Sequence, residues 1–401
     1  MNNPWNSKLT GPTTIARNET KESLMITRCR RANQSFMKST KRGLIRALAL
    51  MLFLPVAADA AGVVTNCTEA ALRAAMAGGG TVTFACDGTI TLASTITNEN
   101  DTTLDGSGHN VTISGNGAVR VFVVNTNVNF TVAHLTICGG YSDGGSAILN
   151  LGGAVSLTND SFSGNNGFDY GGAIYNRGGT LNAVDCSFSS NTKHFGAGYG
   201  TLGGGGAIYN SRGTVNALNC SFGGNQAFGM LFLGPPGNIA FGGAIYNSGT
   251  LTLDLCTFTG NSASAGDGAP PVGNYLSGGA GGCAYGGAIF NDYGAMLTAG
   301  RTTFCGNSAS GGRGGNGASG TDVTGGGGDG GPGGDVNGGA ICDRGSCVVA
   351  RSTLCQNRAS GGAGGNGGSG GTHRGYGEGG GTGGNGGSGL GGALFGGGEP
   401  G

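Results

Sequence analysis

Hydrophobic side chains in this chain recur at every second position within short runs, and polar or glycine-rich breaks separate the runs. In one segment Leu251 and Leu253 alternate with polar residues, the phase breaks, and Cys256 and Phe258 then alternate in the same way. A period of two predicts β-strands that bury one face. A change of phase between two such strands predicts a corner, so the pattern indicates short strands joined by sharp bends.

Upstream of this region, residues 81–137 show the same short runs of alternating hydrophobic and polar residues, and we interpret them as the first strands of the same structure. Glu69–Met76 is the one stretch whose pattern convincingly predicts a helix. We expect this helix to cover the first strands, because an uncovered strand edge invites pairing with other chains.

Two sequence motifs repeat along the chain at a nearly fixed distance from each other. The first is Gly-Gly-Ala-Ile-aromatic-Asn, at residues 171–176, 205–210, 242–247 and 286–291, with variants at 145–150, 338–343 and 391–395. The second is Phe-x-x-Asn, whose first residues are Phe162, Phe188, Phe222, Phe258, Phe304 and the variant Leu354. From the first glycine to the Phe position the offset is 16 to 18 residues, whereas successive Phe positions lie 26 to 50 residues apart. The units therefore receive insertions at one corner.

Units of this size cannot bury one face alone and must stack on their neighbours. We therefore predict an all-β fold: a right-handed parallel β-helix, or solenoid, of about nine rungs, with a short N-terminal capping helix and Gly-rich loop insertions. Stacking in register, about 4.8 Å apart, would align equivalent residues in an Ile ladder, a Phe ladder and an Asn ladder. Asn suits such corners because it tolerates left-handed backbone angles and its amide can bond to the next amide.

The insertions are rich in glycine, which makes up 93 of the 401 residues, more than three times its ordinary share of about 7%. The longest are Gly311–Gly334 and Gly361–Gly389. Their Gly-Gly-x runs lack the regular Asp of calcium-binding nonapeptide repeats. Two alternatives remain: flexible coil, or extended polyglycine strands packed on the flank of the β-helix.

The N-terminal region has the layout of a secretory leader. Basic residues at 38–46 precede an apolar run, Ala47–Ala58, that ends in small residues, as in a signal peptide. The run is too short for a spanning helix of about 20 residues, so we expect a secreted or cell-surface protein with no transmembrane helix after signal cleavage. The predicted organisation is: 1–36, a disordered extension or misplaced start; 37–61, the signal peptide; 62–140, the cap and first rungs; 141–310, β-helix repeats; and 311–401, repeats with long insertions. The last unit opens at Gly391 without completing its strands, and we expect the chain to be truncated there.

The charge distribution argues against a nucleic-acid partner. Although the formal net charge is zero, ten of the 21 Lys and Arg residues and only three of the 21 acidic residues precede Gly62. The remaining chain carries 11 basic and 18 acidic residues. An acidic body without a basic stripe cannot follow a phosphate backbone.

The paired motifs resemble the repeat of the polymorphic outer-membrane proteins. Residues 63–140, with the sequence A-A-L-R-A-A at 70–75 and Leu104-Asp105-Gly106, also resemble the opening of large bacterial secreted β-helix proteins. The resemblance covers residues 63–395 and implies the β-helix fold and export. It does not imply one function, because such folds include both adhesins and carbohydrate-active enzymes.

The aromatic residues that follow the Ile ladder are the candidate ligand-binding residues: Tyr175, Tyr209, Tyr246 and Phe290. Neighbours in a strand face opposite sides, so inward Ile residues predict outward rings. A stack of exposed rings would suit a glycan or a host or cell-surface protein. The alternatives are that the Gly-rich loops fold over the rings or that the facing is reversed. We therefore expect an exported surface scaffold or adhesin-like binding protein that acts through the outer face of the β-helix.

The alternative function is a carbohydrate-active enzyme of the pectate-lyase-like kind, and a purely structural surface-layer protein is a third. Such an enzyme needs gathered acidic residues for calcium and an Arg or Lys base. Asp185 lies between Asn159 and Asn219 in the stack, near the corner residues Arg177 and Arg212, which indicates a polar stripe. We assign no catalytic residue, metal or cofactor. The four histidines have no paired nucleophile in the sequence and are interpreted as surface residues: His109, His134, His194 and His373.

Seven of the 12 cysteines fall into two groups. Cys186, Cys220 and Cys256 each stand two residues before a Phe and are interpreted as inward-facing apolar filling, because parallel side chains in register have poor geometry for a bridge. By sequence proximity, the better candidates for disulfides, which export permits, are two pairs: Cys67 with Cys86, and Cys342 with Cys347.

Overall fold

The computed structural model describes residues 60–194, 204–229, 237–271, 276–321, 325–373 and 376–396, and these wind into a right-handed parallel β-helix. The predicted leader lies outside the described residues, except for Ala60 and Ala61, which begin the first strand. Two of the sheets contain nine strands each, which confirms the prediction of about nine rungs.

From Asn129 onward each full turn of the coil passes through four sheets, whereas the first two turns have no strand in sheet 3. Sheet 1 contains Ala60–Val64, Gly80–Phe84, Thr102–Asp105, Asn129–Ala133, Ala154–Thr158, Thr180–Val184, Thr214–Leu218, Thr250–Asp254, Met296–Gly300 and Ser346–Ala350. Sheet 2 contains Gly88–Thr91, Val111–Ser114, Leu135–Cys138, Ser161–Ser163, Ser187–Ser189, Ser221–Gly223, Thr257–Thr259, Thr303–Cys305 and Thr353–Cys355. Sheet 3 contains Tyr141–Gly144, Asn166–Tyr170, Thr192–Lys193, Gln226–Phe228, Ser262–Ser264, Ser308–Ser310 and Arg358–Ser360. Sheet 4 contains Ile96–Asn98, Phe122–Val124, Ile148–Asn150, Ile174–Arg177, Ile208–Ser211, Ile245–Asn247, Ile289–Asn291, Ile341–Asp343 and Leu394–Gly396.

A fifth sheet and one hairpin belong to the insertions. Sheet 5 contains Ala240–Phe241, Ala284–Tyr285, Val336–Asn337 and Gly389–Leu390. The hairpin pairs Thr372–His373 with Tyr376–Gly377. It is the one antiparallel pairing among the described strands, so the coil itself is built from parallel strands.

The predicted ladders form the core of the coil. Ile174 pairs in register with Ile148 and Ile208, and the Ile ladder continues in this way to Leu394. In the Phe ladder, the rings from Phe162 to Phe304 stack with centroids 4.5 to 5.0 Å apart. Apart from Leu394 in the last strand of sheet 4, which is 42% exposed, these side chains are almost completely buried, so each rung covers the apolar edge of the one before it.

Two buried Asn ladders mark the corners. At the end of sheet 4, the Nδ2 of Asn176 donates to the Oδ1 of Asn210 at 2.9 Å, and the series runs from Asn150 to Asp343. After sheet 2, the Nδ2 of Asn191 donates to Asn225 at 3.0 Å and also to a Phe carbonyl of the preceding rung. These bonds satisfy buried amides that would otherwise be costly to desolvate, and they confirm the predicted Asn ladder.

The helix at the N-terminal end, α1, spans Glu69–Met76, as predicted. Its N-cap residue, Thr68, accepts a hydrogen bond from the backbone of Ala71 at 3.3 Å, which satisfies one of the free N–H groups of the first turn. Leu72, Ala75 and Met76 are buried. The helix thus packs an apolar face against the first strands of the coil.

The described parts of the Gly-rich insertions pack as a two-layer body, which we call the Gly sandwich. One layer contains the outgoing segments 265–271, 311–321 and 361–371, and the other contains the returning segments 276–283, 325–335 and 378–388. In the Gly-Gly pairs of segments 311–321 and 325–335 the first N–H donates within its layer, as from Gly314 to Ala363 at 2.8 Å. The second donates across the layers, as from Gly315 to Gly279 at 2.8 Å.

A period of three residues with hydrogen bonds only to other segments is typical of polyproline II geometry. The third residue of each triplet faces outward and is exposed, as are Asn316 and Asp329. The layers approach closely because glycine lacks a Cβ: an atom added at Gly330 would lie 2.1 Å from the carbonyl oxygen of Gly365 in the other layer. Of the two alternatives for the insertions, the structure therefore shows packed extended strands.

The Gly sandwich joins the coil through a small alanine core. Ala263 and Ala309 of sheet 3 pack against Ala240, Ala284 and Val336 of sheet 5, and all five side chains are buried. The methyl-sized side chains let the two sheets approach closely. The insertions are therefore anchored on the flank of the β-helix.

The cysteines follow the predictions in part. Cys67 and Cys86 form a disulfide, and Cys186 and its two equivalents are buried free thiols. Cys342 is a free thiol whose burial raises its pKa to about 12, so the predicted bridge from this residue to Cys347 is wrong.

The second disulfide joins Cys305 and Cys355, which stand in register on neighbouring strands with Cα atoms 4.6 Å apart. The expectation that such pairs do not bridge is wrong at this position. The Cα separation lies inside the usual range for a disulfide.

Candidate functional site

The four predicted aromatic residues form one column on the outer side of sheet 4. Tyr209 pairs in register with Tyr175 and Tyr246, and Tyr246 pairs with Phe290. A second column stands beside it, formed by the residues that precede the first motif: Tyr170, Phe241 and Tyr285. The rings therefore face away from the Ile ladder, as expected.

The expectation that all four rings are exposed is wrong at two of them. Phe290 is 1% exposed and Tyr246 is 7% exposed, because sheet 5 places Phe241 against both rings, with centroids 4.7 and 5.9 Å away. The Tyr246 hydroxyl donates to Asp292 at 2.5 Å. Burial and this carboxylate raise the pKa of Tyr246. At this end of the column the Gly-rich insertions cover the rings, which was one of the two alternatives to exposed rings.

At the other end of the column the rings line a cleft. Tyr170 and Tyr175 are partly exposed and stack with centroids 5.1 Å apart and ring planes 28° from parallel. The cleft has a volume of about 750 Å³, within the range of small-molecule sites. Its lining is formed by Arg120, Asp143, Gly144, Leu149, Leu151, Tyr170, Tyr175, Arg177, Gly178, Ser211 and Arg212. Two stacked rings, two leucines and three guanidinium groups thus surround one space.

The three arginines of the cleft differ in how they are held. Arg120 forms an ion pair with Asp143 and donates to the carbonyl oxygens of Gly144 and Gly145 at 2.9 and 3.2 Å. Arg177 and Arg212 are exposed, and within the described part of the chain neither forms an ion pair. The cleft therefore holds one neutralised pair and two guanidinium groups that can bind an anion.

Sequence reasoning found Tyr175 but missed Tyr170 and Arg120. A signal for Tyr170 was present, since it directly precedes Gly171 just as Phe241 and Tyr285 precede the same motif in later units. Arg120 lies in a rung without the motif, so the repeat gave no indication of its position. Arg177 and Arg212 were recognised as corner residues, but their proximity to the rings followed only from the fold.

A second, smaller cavity of about 370 Å³ brings together His109 and His134, which are far apart in sequence. The Nδ1 atom of His134 lies 2.9 Å from the Oγ of Ser107, which itself donates to Asp105 at 2.5 Å. The Nε2 atom of His134 contacts Asn159 at 3.3 Å. The carboxylate and the hydroxyl approach the same ring nitrogen, an arrangement unlike a catalytic triad, in which the serine and the acid bind opposite nitrogens.

The remaining polar candidates have structural surroundings. Asn159, Asp185 and Asn219 all adopt positive φ at the corner between sheets 1 and 2, and the Nδ2 of Asn219 donates to Asp185 at 2.5 Å, consistent with a polar stripe. His194 stacks on Phe228 with centroids 5.4 Å apart, and burial lowers the pKa of His194. The side chain of His373 lies outside the described residues. Among the residues described, no group of three or more His, Cys, Asp or Glu side chains could hold a metal ion.

No family model, curated protein or solved structure matches the chain. In the portion that the structure describes, no helix has the length and apolar character needed to cross a membrane.

Proposed function

We propose that this protein is an exported surface scaffold with an adhesin-like binding function, and that it binds a glycan or a host or cell-surface protein at the cleft beside Tyr175. The observation that carries the proposal is the partly exposed Tyr170–Tyr175 pair in a 750 Å³ cleft. Aromatic rings with one accessible face supply large contact area at low entropic cost, and for this reason they recur at binding sites. Tyr246 and Phe290 then support the platform from within and do not touch the ligand.

Export is supported by two independent features. The basic and apolar segments of residues 37–61 have the composition of a signal peptide. The disulfides Cys67–Cys86 and Cys305–Cys355 suit an oxidising compartment, because disulfides rarely persist in the cytosol. We also propose a relationship to the repeat of the polymorphic outer-membrane proteins, which the two paired motifs support.

A carbohydrate-active enzyme remains the alternative function, and the lining of the cleft favours binding over it. The cleft contains one carboxylate, Asp143, which is paired with Arg120. An enzyme of the pectate-lyase-like kind requires gathered acidic residues for calcium beside an Arg or Lys base. The described lining supplies the guanidinium groups without the gathered acidic residues.

The test is a glycan-array and protein-pulldown screen of the full chain and of two tyrosine variants. Tyr175→Ala removes half of the stacked pair, and Tyr376→Ala is the matched control because Tyr376 is 78% exposed and lies outside the cleft. We expect binding to be lost in Tyr175→Ala alone, with an unchanged strand signal in circular dichroism. Equal binding by all three proteins would place the binding surface elsewhere, and absence of binding in all three would favour a purely structural scaffold.

A further inference from the structure

The cleft beside Tyr175 is a basic site in an acidic protein. From Gly62 onward the chain carries 18 acidic and 11 basic residues, yet the cleft gathers three arginines around a single carboxylate. Because Asp143 already forms an ion pair with Arg120, the local excess of positive charge belongs to Arg177 and Arg212.

The fold brings these two guanidinium groups together from successive rungs. Arg177 pairs in register with Ser211, and Arg212 follows Ser211 directly. Neighbouring strands lie about 4.8 Å apart, so two cations repel each other at this corner unless an anion lies between them. Arginine is well suited to such an anion because its planar fork makes paired hydrogen bonds to a carboxylate or a sulfate.

The rest of the lining is suited to a flat apolar face. Leu149 and Leu151 accompany the near-parallel rings of Tyr170 and Tyr175. A pyranose presents such a face through its ring C–H groups, which interact favourably with the negative face of an aromatic ring. A ligand that carries an anionic group on a sugar ring satisfies both halves of the cleft.

We infer that the ligand of this cleft is an anionic saccharide, whose sugar ring packs on Tyr170 and Tyr175 and whose carboxylate or sulfate binds Arg177 and Arg212. This inference rests on the proposed binding function and specifies its ligand. Arg177 and Arg212 then determine the specificity for an anionic over a neutral saccharide. Tyr170 and Tyr175 contact the sugar ring, as they would in a neutral saccharide.

The test measures binding of the full chain to four probes by calorimetry: a galacturonate hexamer, a heparin hexasaccharide, neutral cellohexaose and hexaglutamate. The variants are the double substitution Arg177→Gln/Arg212→Gln, Tyr175→Ala, and the control Arg351→Gln, an exposed corner arginine far along the coil. We expect one or both anionic saccharides to bind, with affinity at least about tenfold weaker in the double variant and weaker at higher salt. Arg351→Gln should leave the affinity unchanged, and the preferred probe distinguishes a carboxylate from a sulfate ligand.

Three outcomes would overturn the inference. Binding of cellohexaose that the double variant retains would leave the proposed binding function in place but show that the anionic group is irrelevant. Equal binding of hexaglutamate, unaffected by Tyr175→Ala, would identify an acidic peptide site. Failure of every probe would reject the anionic saccharide, while the array and pulldown screen would decide separately whether the protein binds another partner.

Discussion

Substituting two adjacent glycines tests whether the Gly-rich insertions are packed strands. Gly383 and Gly384 lie in the same returning segment of the Gly sandwich, but their surroundings differ. A Cβ at Gly384 would lie 2.0 Å from the carbonyl oxygen of Gly331, whereas the nearest atom to a Cβ at Gly383 is 3.7 Å away, at Gly365. Alanine at Gly383 is therefore accommodated, and alanine at Gly384 requires its segment to move away from segment 325–335, its neighbour in the same layer.

The expected cost follows from the contacts at Gly384. Within the same layer, the N–H groups of Gly330 and Gly333 donate to Thr382 and Asn385 of its segment, both at 2.8 Å. Moving the segment about 1 Å away from 325–335 weakens both bonds, each of which contributes about 0.5–1.5 kcal/mol, and overpacking adds about 1–3 kcal/mol. We expect Gly384→Ala to destabilise the segment by about 2–4 kcal/mol. Gly383→Ala should change its stability by less than about 1 kcal/mol, and it could even increase it by restricting the unfolded chain.

Hydrogen exchange measured by mass spectrometry is the suitable assay, because repeat proteins open locally and a global melting temperature would hide the effect. The expected cost corresponds to exchange roughly 30- to 900-fold faster in segments 325–335 and 378–388. Gly383→Ala should exchange like the parent chain. If both variants exchange like the parent, or if these segments already exchange at the rate of an unfolded chain, the two-layer packing is wrong and the insertions are coil.

Three further predictions concern the coil. Asn225→Ala removes a fully buried amide from the middle of an Asn ladder and should lower the free energy of unfolding by about 2–4 kcal/mol, measured by denaturant titration against the exposed control Asn316→Ala. Burial raises the pKa of Asp160 from 3.8 to about 7 despite two backbone donors, so the folded state retains this proton longer than the unfolded state does. Stability should therefore fall as the pH rises from 4 to 7, and Asp160→Asn should flatten that slope. Cys305→Ser, which removes the Cys305–Cys355 bridge between residues 50 apart and leaves Cys67–Cys86 intact, should destabilise the last rungs by about 2–4 kcal/mol with little change in exchange around the first rungs.

The coil could be predicted from the sequence because its contacts repeat. Once Ile174 and Phe188 recur at a fixed offset in the neighbouring units, in-register stacking is the one arrangement that buries both in every rung. The corner Asn residues follow the same logic, since identical amides at identical positions can bond to each other. Helix α1 was predictable from its local pattern alone.

The Gly sandwich and the buried half of the aromatic column could not be predicted in the same way. Coil and packed polyglycine share one composition, and they differ only in hydrogen bonds between segments far apart in sequence, such as Gly315 to Gly279. The Gly-Gly-x period of three did carry a signal, because it leaves a non-glycine residue at the one outward position of each turn. The Cys305–Cys355 bridge was missed because backbone register alone does not fix the side-chain torsions.

The insertions decide which part of the aromatic column is core and which part is surface. From the Asn of the second motif to the first glycine of the next unit, the chain advances 6 residues at Asn165–Gly171, but 17 at Asn225–Gly242, 25 at Asn261–Gly286 and 31 at Asn307–Gly338. The long connections carry the sheet 5 strands that bury Phe290, whereas the short connection leads directly from sheet 3 to the rings at the cleft. The same motif therefore serves packing where the insertion is long and presents a partly exposed tyrosine where it is short. A binding site can thus arise in a uniform repeat without any change in the motif itself, because the length of the neighbouring connection controls exposure of the ring.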